Sequence, residues 1–189
     1  MTADAPSGGF SDAPIQSARA FRAVLEVMAR PGRIETLTGA QPPAPLSIAA
    51  GVALLTLADG TTPVHLAGAA DCEPVRDWIA FHIGAPLTGP DKADFALGRW
   101  SDLMPITRFR IGQPDYPDRS ATLIVEVDDL TPTGHRLTGP GIADHAHLSL
   151  PDTRAFQDNR ALFPLGFDTL LTCGPRIAAL PRSTKVEVI

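Results

Sequence analysis

Near the end of this 189-residue chain, Pro181 is followed by Arg182, Ser183 and Thr184, which set one guanidinium beside two hydroxyls. Such a donor set suits a phosphorus oxyanion, because Arg offers paired planar N–H groups and hydroxyls add further short bonds to charged oxygen. A second segment, Leu137-Thr138-Gly139-Pro140-Gly141-Ile142, is the other candidate. There Thr138, Gly139 and Gly141 can present backbone N–H groups to an anion, since glycine permits the positive φ angles and close approach of a phosphate-cradling nest. The loop has neither the Gly-Lys-Ser/Thr ending of a P-loop nor the G-x-G-x-x-G that sets a helix N-terminus under a pyrophosphate. Each segment also has a purely structural reading. A loop of this kind is more often a tight turn, and the terminal segment is at least equally an edge strand with solvated charges at a subunit contact.

Other chemistry-bearing residues organise less well. Asp144-His145-Ala146-His147 alternates in a way that can converge on a cation, but no second acidic or His cluster lies near it in sequence, so a surface loop is expected and no metal site. His82 shares an apolar helix face with Trp78, the setting of a satisfied core histidine. No G-x-S-x-G elbow organises the Ser, His and Asp residues into a hydrolase. Of the sixteen Lys and Arg, only Lys92 and Lys185 are lysines. Lys92 lies in a polar Pro-Asp-Lys-Ala-Asp turn and Lys185 alternates with Glu187, so neither fits a desolvated Schiff-base pocket.

The length fits one domain with a substantial core. A net charge of -5 gives no basic excess to attract nucleic acid or anionic lipid. Cys72 and Cys173 are too far apart for a C-x-x-C motif and suit a reducing compartment. No apolar run approaches the ~20 residues that span a bilayer, and residues 1–9 lack the basic and apolar regions of a signal peptide. A cytoplasmic protein without a membrane partner is the expectation.

The elements that must position these residues follow from periodicity. Residues 1–11 are small and polar and read as a flexible tail, leaving 12–189 as a single domain. Asp12 and Pro14 open a helix whose Ala18, Phe21, Val24, Leu25 and Met28 recur at helical spacing, and Pro31-Gly32 ends it. A short strand over 33–37 precedes a Pro-rich linker. An all-round apolar helix then runs over about 46–57, which implies burial against a sheet. A strand at 64–67 is followed by a helix opened by Asp71 and Pro74. Residues 95–112 fit neither period. Residues 121–127 are the clearest strand, with the unbroken apolar character of a central position. A strand at 135–137, a helix from Asp152 to Leu162 and a hairpin over 169–180 complete the pattern. Strands alternating with helices predict a three-layer α/β/α domain with a mixed sheet.

Taken in order, these residues resemble one family. The set is Phe21-Arg22, Met28-Ala29-Arg30-Pro31-Gly32, Leu54-Leu55-Thr56-Leu57-Ala58-Asp59 with Thr62-Pro63-Val64, Phe81-His82 with Ala85-Pro86-Leu87, Ala121-Thr122-Leu123, the 137–142 loop, Phe163-Pro164-Leu165-Gly166 with Asp168, and Leu180-Pro181-Arg182. It resembles the PhnH subunit family of the bacterial carbon-phosphorus lyase system. Two departures stand out, Ser120 where the family usually has Gly and Ser183 where it usually has Thr.

The resemblance implies a fold similar to the large domain of PLP-dependent transferases, without PLP or another cofactor. It implies partners PhnG, PhnI and PhnJ, and a homodimer in isolation. The complex would join a phosphonate to the ribose of ATP with loss of adenine, giving a ribose 1-phosphonate 5-triphosphate. In it this chain would be a structural or substrate-positioning subunit, or would itself bind the phosphonate or ATP through the Pro181–Thr184 turn.

Overall fold

The computed structural model describes residues 7–188. The flexibility expected of the first six residues lies outside the described residues, while 7–11 are docked. Gly8 accepts a hydrogen bond from the Gln41 amide at 2.8 Å, and Phe10 packs against the core.

A six-stranded sheet organises the chain. Its order is β1 (Ile34–Thr36), β10 (Arg176–Leu180), β9 (Asp168–Cys173), β6 (Thr122–Glu126), β3 (Phe95–Arg99), β2 (Val64–Leu66). Strands β2, β3, β6 and β9 run parallel, and β10 and β1 add on antiparallel. The sheet is mixed, as the sequence predicts. Strand β6 sits near its middle because Leu123, Ile124 and Val125 are fully buried, Ile124 on one face and its two neighbours on the other. That is the period-two alternation of a strand covered on both sides.

Helices α1 (Ala13–Ala29), α2 (Ile48–Leu57) and α3 (Glu73–His82) supply the cluster on one face, with Leu97, Ile124, Leu170 and Ile177 from the sheet. Helix α2 is buried from Ala49 to Leu54, as its uniform apolarity requires, and Ser47 Oγ caps it by accepting from the Ala50 amide at 3.1 Å. On α1 the buried residues are Ala20, Val24 and Val27. Val24 and Met28 face the core as expected, but Ala18, Phe21 and Leu25 are exposed, because two apolar stripes lie side by side on this helix and the sheet takes the one with smaller side chains.

The opposite face departs from the α/β/α expectation. It is covered by a second antiparallel sheet of β11 (Lys185–Glu187), β7 (His135–Thr138) and β8 (Ala146–Leu148), together with α5 (Arg154–Ala161). Leu137, Leu148, Phe156 and Val186 carry its apolar contacts. The ambiguous 95–112 stretch resolves into β3, the four-residue α4 (Trp100–Leu103), a 3₁₀ turn and the first strand of a hairpin, β4 (Ile111–Gln113) with β5 (Tyr116–Ser120). Among the described residues no helix is long and apolar enough to cross a membrane.

Candidate functional site

The two segments singled out by their chemistry meet in space. Strand β11 pairs with β7 so that Lys185 lies opposite Thr138, which brings the 139–141 loop onto the 181–184 turn. A Cβ on Gly139 would stand 3.2 Å from the Ser183 carbonyl oxygen, and one on Gly141 would stand 1.9 Å from the Ala29 carbonyl oxygen. Both glycines have positive φ, 134° and 81°. Their freedom is therefore taken up by packing against the terminal turn and the end of α1. Thr184 is 2% exposed and its hydroxyl has no partner among the described residues.

Arg182 is turned inward. Its guanidinium donates to both Asp168 oxygens, at 2.6 and 3.2 Å, to the Pro117 carbonyl at 2.8 Å and to Ser120 Oγ at 2.5 Å, and its backbone amide donates to Asp168 at 2.9 Å. The arginine and aspartate side chains are 12% and 21% exposed. This network ties the β4–β5 hairpin to the start of β9 and the end of β10. A two-stranded hairpin is marginal by itself; Arg182 fastens the β5 side of this one, and the Gly166 amide donates to the Ile111 carbonyl of β4 at 2.9 Å. Ser120, one of the two family departures, is accommodated without strain, because every described residue with positive φ is a glycine, and its hydroxyl becomes one of the acceptors.

The structure adds a site that sequence reasoning missed. At the carboxyl ends of the parallel strands β3 and β6 lies a cleft of about 290 Å³ lined by Arg99, Trp100, Glu126, Asp128, Asp129 and Ser149, among others. A smaller recess of about 120 Å³ shares Arg99, Glu126 and Val127 and extends toward Gly98 and Asp102. In open α/β sheets, ligands bind in the crevice outside these strand ends. Glu126 is the last residue of β6 and partly buried. One carboxylate oxygen accepts from the Ser47 amide at 2.7 Å and the other from Thr172 Oγ1 at 3.0 Å. Desolvation is the dominant influence and pushes its pKa up, against the pull of those hydrogen bonds. Arg99 forms a two-pronged ion pair with exposed Asp128, at 2.8 and 3.2 Å, which holds the Asp128 carboxyl below the usual aspartate value. The sequence signal was Glu126, the one carboxylate inside the apolar run 121–127.

The remaining candidates stay apart. Asp144 and His145 lie exposed in a loop, as expected, and pair at 2.7 Å, whereas Ala146 and His147 depart from that expectation by starting β8. His82 packs on Trp78 at 5.3 Å between ring centroids, but its Nε2 has no partner among the described residues, so it is not the satisfied histidine expected. Lys92 and Lys185 are both exposed.

Comparison with known proteins places the chain by its sequence. Residues 8–187 match the family described as "Bacterial phosphonate metabolism protein (PhnH)". The chain is 42% identical to alpha-D-ribose 1-methylphosphonate 5-triphosphate synthase subunit PhnH of Rhizobium meliloti (strain 1021), over 96% of this chain and 95% of that one. It is 28% identical to a Stutzerimonas stutzeri protein named "Putative C-P lyase subunit protein HtxG", over 89% of this chain and 85% of that one. The chain belongs to the PhnH family of bacterial phosphonate metabolism proteins.

Proposed function

We propose that this chain is a subunit of an alpha-D-ribose 1-methylphosphonate 5-triphosphate synthase in the C-P lyase pathway, acting as a structural or substrate-positioning component. The observation that carries the assignment is the 42% identity spread over nearly the full length of both chains. The inward commitment of Arg182 supports the structural role, because a guanidinium held by Asp168, Pro117 and Ser120 is not free to clamp a substrate. In the same reading its partners are PhnG, PhnI and PhnJ, it pairs with itself in isolation, it works in the cytoplasm without a cofactor of its own, and its fold is akin to the large domain of PLP-dependent transferases. The alternative is direct binding of phosphonate or ATP by Arg182, Ser183 and Thr184 with Thr138, Gly139 and Gly141. Its support is that the two segments adjoin.

The test is reconstitution. The partner subunits should co-purify with this chain at fixed stoichiometry and release adenine from ATP only when a phosphonate is present. Failure to assemble would overturn the reading.

A further inference from the structure

We propose that the cleft at the carboxyl ends of β3 and β6 binds a sugar ring through its vicinal hydroxyls. The choice of ribose as the sugar rests on the function proposed above; the choice of a sugar rests on the cleft itself. Its lining combines three things that sugar recognition needs. Glu126, Asp128 and Asp129 are hydroxyl acceptors, Arg99 keeps N–H groups beyond the two it gives Asp128, and Trp100 forms part of the wall while packing on Phe156 at 5.0 Å between ring centroids; the Ser149 hydroxyl, which accepts from the Thr131 amide at 2.9 Å, lies beside them. An indole offers an apolar surface to the C–H face of a ring, with a polar rim beside it.

Glu126 is the centre of this arrangement. Each of its oxygens accepts one hydrogen bond from the protein, from Ser47 or from Thr172, and a carboxylate oxygen can accept two. A diol therefore meets two acceptors fixed in place by β6, α2 and β9. The desolvation that raises its pKa makes a further donor welcome.

The charge balance argues against a phosphorus oxyanion in the same place. Three lining carboxylates outnumber the one lining guanidinium, which is paired with Asp128, and Arg176, 3.8 Å from Asp129, still leaves the balance negative; a triphosphate would have to extend out of the cleft. Volume points the same way. About 290 Å³ lies at the lower limit of ligand sites, which run to roughly 1,000 Å³, so a single ring fits better than a whole nucleotide.

Trp78 and Trp100 are the only tryptophans, and Trp78 is 1% exposed, so Trp100 reports on the cleft. The full chain is titrated with D-ribose, ATP, 2′,3′-dideoxy-ATP, inorganic triphosphate and methylamine, following tryptophan emission and calorimetric heat. Ribose and ATP should give saturable changes, dideoxy-ATP should bind about tenfold more weakly or worse, and triphosphate and methylamine should give none. Glu126→Gln should weaken ribose and ATP by a similar factor. If that variant melts early, Asp128→Asn, altered on an exposed side chain, is the substitute and should weaken both. Equal binding of ATP and its dideoxy analogue, binding of triphosphate or methylamine instead, or no saturable change overturns the proposal. Assembly and adenine release without ribose binding would remove the sugar site and leave the subunit assignment standing, whereas ribose binding without assembly would do the reverse.

Discussion

Arg182→Ala separates the structural role of the terminal turn from a ligand-binding one. The substitution removes four side-chain hydrogen bonds and strands Asp168, whose carboxylate is only 21% exposed. Breaking a buried ion pair by deleting one partner typically costs about 3–5 kcal/mol. Water reaches Asp168 to some extent, and its bond from the Arg182 backbone amide survives, so about 3 kcal/mol is expected here. For a chain of this size that lowers Tm by about 6–12 °C. Urea or thermal unfolding of the purified chain measures it. In a cycle with Asp168→Ala, the double variant should be more stable than the sum of the single losses by about 1–3 kcal/mol, because the second change relieves the stranded charge. Hydrogen exchange should quicken across 111–120, where the hairpin loses its fastening. A loss below about 1 kcal/mol, accompanied by intact assembly and abolished adenine release, would refute this reasoning and hand Arg182 to the ligand.

Two further perturbations follow from the packing and the cleft. Gly141→Ala should cost more than about 2 kcal/mol, since its Cβ would meet the Ala29 carbonyl at 1.9 Å with φ at 81°, whereas Gly174→Ala, with nothing within 4 Å of its Cβ, should cost about 1 kcal/mol from backbone strain alone; denaturant midpoints compare them. Glu126 has a folded pKa raised above its ordinary 4.5, so the folded state holds an extra proton between the two values and the carboxyl's contribution to stability falls as pH rises through that window. The stability of the wild type relative to Glu126→Gln should therefore decline over that range and be flat below it; a difference that grows more favourable to the wild type with rising pH would contradict the desolvated placement.

The parts of the fold written in short-range periodicity were legible. Strand β6, helix α2 and the β9–β10 hairpin all follow from unbroken apolar runs bounded by turn residues. What escaped depends on contacts distant in sequence. Phe21 and Leu25 look like core on a helical wheel, and only the position of the sheet shows that Ala20 and Val27 join Val24 in that place. Strand β5 carries Pro117, Asp118 and Arg119, a composition that reads as loop until Arg182 is seen to anchor it from 62 to 65 residues away. Strand β8 hides in a His-rich stretch whose pairing with β7 no local pattern announces.

The candidate site divides along the same line. Residue type alone singled out Thr138, Gly139, Gly141 and the Arg182–Thr184 turn as candidates, and the chain places these two segments next to each other. It could not show that Arg182 faces inward. Nor could it show that Arg99 and Glu126, 27 positions apart, end side by side as register partners of β3 and β6. That adjacency is created by the parallel crossover, which periodicity does not encode.

The most direct test of the account is complementation of a synthase complex that lacks its own PhnH subunit. Purified partner subunits, ATP and methylphosphonate are combined with and without this chain, and released adenine is measured alongside complex stoichiometry. The account predicts that the chain enters the complex at a fixed ratio and restores phosphonate-dependent adenine release. A chain that stays out of the complex, or enters it without restoring release, would contradict it.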